Sequence, residues 1–269
     1  MNIMIENFPL LGMGTWGMGG NTERDTKNDK ESVAALRCGL DLGITLIDTA
    51  EFYGAGHTEE LVGEAIKGRP REELTIMTKV WKTNLHYDDV LAAAARSLER
   101  LGTDYIDLYL IHWPNTEIPL EETMRAMETL LDQKIIRAIG VSNFSAEQME
   151  GTAKYLTHAQ LFADQIEYSL MKRGAEASII PYAKKHNVRI VAYRPLARGD
   201  LTKTNTALLT QLAQKYQKTE NQITLNWLIA QGMIAIPKAT KPEHIKENSG
   251  ALGWKLEPDD IELLRKITF

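Results

Sequence analysis

The 269-residue sequence contains one cysteine, Cys38. That excludes an internal disulfide and any metal site built from several cysteines. Cys38 lies in the helical pattern VAALRCGLDLG, where a thiol behaves as a small packed apolar group. No apolar run approaches the roughly 18 residues of a membrane span. Positive charge is not in excess: the net charge is −5 with 25% charged residues, which provides no basic face for nucleic acid or an anionic membrane. The first residues, MNIMIENFPL, lack the basic region and cleavage site of a secretory leader. The expected location is the cytoplasm. No Pro/Ser-rich linker or shift of composition divides the chain, and 43% hydrophobic residues suffice for a large core.

What is present begins with LLGMGTWGMGG, where Gly12, Gly14 and Gly17 stand in the spacing G-x-G-x-x-G. A dinucleotide-binding turn of that spacing must close a strand, open a helix and be followed roughly 20 residues later by a carboxylate. Here PLLGMG reads as a strand, but TWGMGGNTERDTKND has no apolar periodicity. The next strand-ending carboxylate, Asp48, comes 31 residues after Gly17 (48 − 17). The glycines therefore predict a tight turn after a strand rather than a Rossmann fingerprint.

Short β-branched runs alternate with amphipathic segments along the chain. The predicted strands are PLLGMG (9–14), ITLIDTA (44–50), LTIMTKV (74–80), YIDLYLIHW (105–113), IIRAIGVSNF (135–144), LFADQIEY (161–168), VRIVAY (188–193) and IAIPK (234–238). Between them lie KESVAALRCGLDLG, TEELVGEAIKG, DVLAAAARSLERLG, LEETMRAMETLLDQ, SAEQMEGTAKYL, GAEASIIPYAKKHN and NTALLTQLAQKYQ…ENQITLNWLIAQG. Several end in glycine, lysine or asparagine, as helix stops do. Eight strand–helix pairs predict an α/β chain folded as one (β/α)8 TIM barrel domain over residues 1–269, near the usual size of about 250 residues. A doubly wound sheet with a small extra domain is the alternative.

Active sites of such barrels lie at the C-terminal strand ends. There the sequence places Asp48, Lys79, His112, Ser142 with Asn143, Gln165, Tyr193 and Lys238, and Tyr53 follows Asp48 by five positions (53 − 48). A lone Asp–Lys pair is often structural, but seven successive strands delivering polar side chains to one rim point to a site. Tyrosine, with an ordinary pKa near 10, is a poor acid until a neighbouring ammonium favours its phenolate. Lys79 would lower the Tyr53 pKa, Asp48 would hold Lys79, and His112 would orient a carbonyl oxygen. Lys79 between Asp48 and His112 argues against a metal, and no serine–histidine or cysteine nucleophile is evident. A site that only protonates an oxygen fits carbonyl reduction by an external hydride donor.

The stretches GMGTW, IDTAEFYG, MTKVW, LIHWPN, IGVSNF, QIEY, AYRPLARG and IPKATKPEHIKEN resemble the aldo-keto reductase superfamily, in its order and one per strand end. The resemblance implies a catalytic tetrad of Asp48, Tyr53, Lys79 and His112, with Tyr53 as proton donor. It implies a nicotinamide cofactor lying across the barrel mouth. Ser142, Asn143 and Gln165 would hold its carboxamide, and Tyr193 would stack on its ring. Pro195, Leu196 and Ile236 would line its path, with Leu196 and nearby backbone over the pyrophosphate; Gly12, Gly14 and Thr15 sit at the first strand end, where absence of bulk lets it approach, with Trp16 next to them. Lys238 and Thr240 would hold a 2′-phosphate at the start of the helix PEHIKEN, with Glu247 and Asn248 on the adenine. Ala239 stands where many members have serine and His244 where many have arginine, a poorer phosphate fork. NADPH is the expected cofactor, with NADH possible. Arg194 replaces a commoner serine; a pyrophosphate contact and a plain surface guanidinium are both open.

Trp16, Phe52, Trp81 and Trp113 flank these polar groups and would wall a substrate pocket together with Tyr53 and His112, or pack the rim; Trp227 and Trp254 read as packing. The loop WPNTEIPLEE is short, and Phe269 follows a last helix DDIELLRKI, so an open pocket is expected. That form is similar to prokaryotic members reducing small aldehydes, 2-oxoaldehydes and diketo sugar acids, 2,5-diketo-D-gluconate among them. A small-molecule carbonyl is the expected partner, and a monomer the expected state. The alternative is a nucleotide-binding regulatory subunit on the same barrel, like channel-associated members, with little turnover.

Overall fold

A computed structural model describes residues 8–200 and 207–267. The residues 1–7 of the stretch read for a leader, residues 205–206 of the helical pattern NTALLTQLAQKYQ, and Phe269 lie outside the described residues. Eight strands form one parallel sheet in sequence order: β1 Gly12–Gly14, β2 Leu46–Asp48, β3 Thr75–Val80, β4 Leu108–Ile111, β5 Ile139–Ser142, β6 Leu161–Glu167, β7 Arg189–Tyr193 and β8 Ile234–Ile236. Bridges Leu11–Ala235 and Gly14–Lys238 bring the ends together, with Ala235 N–H donating to Leu10 O at 2.9 Å and Gly14 N–H to Pro237 O at 3.1 Å. This is the expected (β/α)8 barrel. At the seam a side chain on Gly14 would place its Cβ 2.9 Å from the Ile236 carbonyl oxygen, so only glycine lets the first and last strands close.

Period-two alternation accounts for both the core and the site. Leu46, Met77, Leu108, Leu110, Ala163, Val191, Ile234 and Ile236 form a buried cluster of their own, the filling of the barrel. The next inward position along the strands carries Asp48 above Leu46, Lys79 above Met77, His112 above Leu110, Gln165 above Ala163 and Tyr193 above Val191. An apolar plug thus supports a polar layer at the C-terminal mouth.

The ten α-helices among the described residues are α1 Asp29–Asp41, α2 His57–Ile66, α3 Tyr87–Leu101, α4 Leu120–Asp132, α5 Ala146–Tyr155, α6 Ile179–Lys185, α7 Ala207–Tyr216, α8 Glu220–Ala230, α9 Pro242–Ser249 and α10 Pro258–Arg265. Their apolar stripes bury against the outer faces of the strands. In α3 the buried residues Val90, Ala93, Ala94, Ser97 and Leu101 follow helical spacing, and Gly102 stops the helix at φ 63°, as a left-handed C-terminal residue should. Capping boxes start α5 at Ser145–Gln148 and α8 at Thr219–Gln222.

Two helical patterns divide differently from the sequence expectation. GAEASIIPYAKKHN yields a 3₁₀ turn at Gly174–Ala177 and then α6 from Ile179, because Ser178 leaves helical geometry at φ −147°. The pattern ahead of β8 is two helices, separated at Gln217, where φ is 53°. No helix follows Gly17: Gly17, Gly19 and Gly20 all have positive φ, and α1 starts only at Asp29. The glycine stretch is a turn, as its lack of periodicity implies. No helix among the described residues is long and apolar enough to cross a membrane.

Candidate active site

Asp48 ends β2 and Lys79 is the penultimate residue of β3, so adjacent parallel strands present both side chains inward at the mouth. Lys79 Nζ donates to Asp48 Oδ1 at 2.6 Å, to Thr49 O at 2.7 Å and to Tyr53 Oη at 3.2 Å. Tyr53 reaches this point because the chain turns sharply after β2 into a 3₁₀ turn, Tyr53–Gly56, in which Gly54 and Ala55 adopt positive φ. The Tyr53 and His112 rings lie edge to face at 5.5 Å. His112 Nδ1 is buried with no hydrogen-bond partner among the described residues.

Burial governs the electrostatics of this group. It pushes the Asp48 carboxyl up, opposed by Lys79, and the Lys79 ammonium down, opposed by Asp48. It pushes the Tyr53 hydroxyl well above its ordinary value; Asp48 adds to this and Arg194 opposes it. The expectation that Lys79 lowers the Tyr53 pKa is therefore corrected. The ammonium is already matched by a carboxylate at 2.6 Å, and loss of water around the phenol outweighs what field remains. Tyr53 holds its proton. His112 is lowered to about 2, first by burial and then by Lys79, so its imidazole is neutral at physiological pH.

Ser142, Asn143, Gln165 and Tyr193 join one hydrogen-bonded chain along the mouth. Ser142 Oγ donates to Gln165 O at 2.8 Å. Asn143 Nδ2 donates to Ser142 Oγ at 3.0 Å and to His112 O at 3.2 Å, while Asn143 Oδ1 accepts from Tyr193 Oη at 2.9 Å. Gln165 Nε2 crosses the barrel to Asp48 Oδ1 at 2.8 Å. The amide nitrogens are thus engaged within the protein. Thr15 Oγ1 donates to Asp48 O at 2.8 Å. The bareness of Gly14 is accounted for by the β1–β8 seam.

Among the aromatics, Trp16 meets Tyr53 edge to face at 4.9 Å. Phe52 stacks on Trp81 at 3.7 Å and 10°, and Trp81 stands 5.1 Å from His112 at 84°. Trp113 is exposed. Trp227 is wholly buried and Trp254 packs on Tyr216, consistent with packing roles.

Arg194 has φ 50°; its guanidinium lies 5.7 Å over the Tyr193 ring and 3.3 Å from Glu167 Oε1. Pro195 and Ile236 are buried and Leu196 half-buried. Lys238 is exposed, with its Nζ 3.7 Å from where a Gly17 Cβ would stand. Ala239 packs on the core, Thr240 and His244 are exposed, and Asn248 is buried. His244 and Glu247 line an outer groove of about 640 Å³ with Leu42, Thr219 and Gln222. No hydrogen bond recorded among the described residues links them to the polar layer around Asp48.

Sequence reasoning missed a buried set behind Lys79. Glu59 in α2 accepts from Thr78 Oγ1 at 2.5 Å and pairs with Arg100 of α3 at 2.6 Å, and its charge favours the Lys79 ammonium. The available signal is Thr78, a polar residue at an outward position of a strand whose outer neighbours are apolar. Asp164, beside Gln165 on the opposite strand face, is wholly buried, and burial holds its carboxyl well above the carboxylate range. No group of histidine, cysteine and carboxylate residues capable of holding a metal occurs among the described residues.

A parallel barrel thus carries a lysine–aspartate pair, a tyrosine and a neutral histidine at its mouth. The family model described as "Aldo/keto reductase family" matches residues 10–268, and the chain belongs to that family. It is 37% identical over 264 residues to methylglyoxal reductase YeaE of Escherichia coli, covering 97% of this chain and 91% of that protein. Among solved structures it is similar to a thermostable aldo-keto reductase, Tm1743, in complex with the inhibitor epalrestat, with a TM-score of 0.91 at 45% identity, covering 96% of this chain and 94% of that one. An aldo/keto reductase from Klebsiella pneumoniae in complex with NADP and acetate gives a TM-score of 0.85 at 36% identity, covering 95% of this chain and 90% of that one.

Proposed function

We propose that this protein is an NADPH-dependent reductase of small aldehydes and ketones, 2-oxoaldehydes above all. The observation that carries the reading is Tyr53 with Lys79 Nζ at 3.2 Å from its oxygen and the His112 ring edge to face with it at 5.5 Å. Ser142, Asn143, Gln165 and Tyr193 gather amide and hydroxyl groups and a half-buried ring at the same mouth, and a nicotinamide carboxamide and ring would exchange with the bonds these groups now make to one another. The cofactor, when bound, supplies a hydride to the carbonyl carbon. Relatives bound to NADP and named as methylglyoxal reductases support the cofactor and substrate class.

His112, neutral, donates an N–H to the substrate oxygen and fixes the angle of the carbonyl. Tyr53 gives its hydroxyl proton to that oxygen as negative charge develops there. Lys79 then faces a phenolate at hydrogen-bond distance, and Asp48 keeps Lys79 charged and directed. Solvent returns the proton to Tyr53. Trp16, Phe52, Trp81 and Trp113 wall the pocket. Gly14, Thr15, Trp16, Arg194, Pro195, Leu196, Ile236, Lys238, Ala239, Thr240, His244, Glu247 and Asn248 line the cofactor path. The weak phosphate fork of Ala239 and His244 leaves NADH as a poorer second cofactor. The same reading makes residues 1–269 one barrel domain, supported by all eight strands sharing one sheet, and the protein a cytoplasmic monomer, to be checked by its mass in solution.

The test is NADPH oxidation with methylglyoxal by the native protein and Tyr53→Phe in parallel, with cofactor binding followed by tryptophan fluorescence. The reading expects both proteins to bind and only the native one to turn over. Equal turnover in both overturns the proton-donor role. Binding without turnover, across methylglyoxal and an aromatic aldehyde, favours the regulatory-subunit alternative.

A further inference from the structure

One buried carboxylate at the mouth has no part in proton transfer. Glu51 lies between the Asp48 and Tyr53 positions, and its side chain is only 7% exposed. Its Oε1 accepts from the backbone N–H of Trp81 at 2.6 Å and from Asn84 Nδ2 at 3.0 Å. Its Oε2 lies 3.6 Å from the Arg96 guanidinium, and its own N–H donates to Lys79 O at 3.3 Å. The bond from Asn84 N–H to Trp81 O at 2.9 Å closes the turn that Glu51 grips.

The next residue, Phe52, stacks on the Trp81 ring. Both rings are half-buried, so the core does not lock them, and an aromatic stack keeps its geometry only if the two backbones are held in register. Glu51 ties those backbones together. Its bonds to an N–H and an amide are charge-assisted, and such bonds are roughly twice as strong as neutral ones. The stack in turn stands edge to face with His112, at 5.1 Å from Trp81 and 6.3 Å from Phe52.

We propose that Glu51 is a positioning residue that sets the Phe52–Trp81 wall against His112 and so determines acceptance of carbonyl substrates bearing a flat apolar group. The proposal rests on the carbonyl-reductase reading of the mouth. A planar substituent on the carbonyl extends along the stacked wall, whereas the single methyl group of methylglyoxal gains little from its alignment.

The experiment measures kcat and KM for benzaldehyde and methylglyoxal in the native protein, Glu51→Ala, Glu51→Gln, Trp81→Ala and the Glu51→Ala/Trp81→Ala double variant, together with near-ultraviolet circular dichroism. Glu51→Ala is expected to raise KM for benzaldehyde about tenfold, the scale of one lost aromatic contact, with kcat and the methylglyoxal KM within about threefold. Glu51→Gln, which keeps an acceptor for the Trp81 N–H, recovers most of the loss and covers the case in which the alanine variant does not fold. In the Trp81→Ala background, Glu51→Ala adds nothing. The circular dichroism band that Trp81→Ala removes is also lost in Glu51→Ala.

An unchanged benzaldehyde KM with an unchanged band overturns the proposal. So does an equal fall in methylglyoxal kcat and cofactor affinity, which would make Glu51 a support of the whole mouth. If the native protein reduces neither carbonyl, the reductase reading fails; the band still decides whether Glu51 orders the wall.

Discussion

At the floor of the barrel, Asp107 stands just before β4, fully buried, with Arg71 at 2.7 Å, Arg137 at 3.2 Å and the Ile76 N–H at 2.8 Å. Both guanidiniums sit over the Tyr105 ring, at 3.8 and 3.7 Å. At the mouth, Asp48 has a single cation, Lys79, which also donates to Thr49 O and Tyr53 Oη. Each end contains a buried aspartate, at least one basic partner and a tyrosine. At the floor two cations close around one carboxylate, as a structural clasp does. At the mouth Lys79 divides its donors among Asp48, Thr49 and Tyr53, and among the described residues no hydrogen bond is donated by the Tyr53 hydroxyl, so a proton is left for a guest. Unused capacity held rigidly, more than the presence of charge, separates a site from a clasp.

The comparison can be broken most forcefully at Tyr53. Tyr53→Phe should lower kcat/KM by about 10²–10⁴-fold, the usual worth of a general acid, with cofactor affinity unchanged in a fluorescence titration. Lys79→Met should abolish most activity and also cost about 3–5 kcal/mol of stability in denaturant titration, because it leaves Asp48 buried without a cation. Arg71→Met at the floor should cost less, about 1–3 kcal/mol, since Asp107 keeps Arg137 and an N–H, and kcat below the melting transition should not move.

The third distinction is in pH. His112 is held neutral down to about 2, against an ordinary value near 6.5. Between those values the unfolded chain binds a proton that the folded chain refuses, so this residue makes stability fall as pH drops below about 6.5. His112→Gln should remove that part of the slope, read as melting temperature against pH, and native kcat should show no histidine step between pH 5 and 8. The smallest effect belongs to the exposed Arg194–Glu167 pair: Glu167→Gln should change stability by no more than about 1 kcal/mol.

The eight strands were legible because each carries a β-branched or apolar run, and in the last seven the polar residue that closes the run marked the candidate site. Asp48, Lys79, His112, Gln165 and Tyr193 could be placed at one mouth from strand alternation alone. Tyr53 was legible by its distance from Asp48, but not its electrostatics. Its burial depends on Trp16 and on the turn at Gly54, and local sequence does not report desolvation. The division at Ser178 and the break at Gln217 were hidden because apolar periodicity runs on either side of each. Glu51 and Glu59 carry no periodic signal; their partners lie on neighbouring strands and helices, reachable only once the sheet order is known.

The bond from Gln165 to Asp48 joins residues 117 positions apart. A growing polypeptide that already carries Asp48, Tyr53, Lys79 and His112 still lacks that brace, and it lacks β8 and the following Pro237, whose carbonyl accepts from the Gly14 N–H. Contacts of such sequence separation form late, after the loop-closure entropy has been met. The mouth is therefore completed only after β6 and β8 have been made. Two halves produced separately, cut between β4 and β5, would have to rejoin through both the β4–β5 and the β8–β1 ladders before either could reduce anything. That requirement makes recovered turnover a direct reporter of barrel assembly.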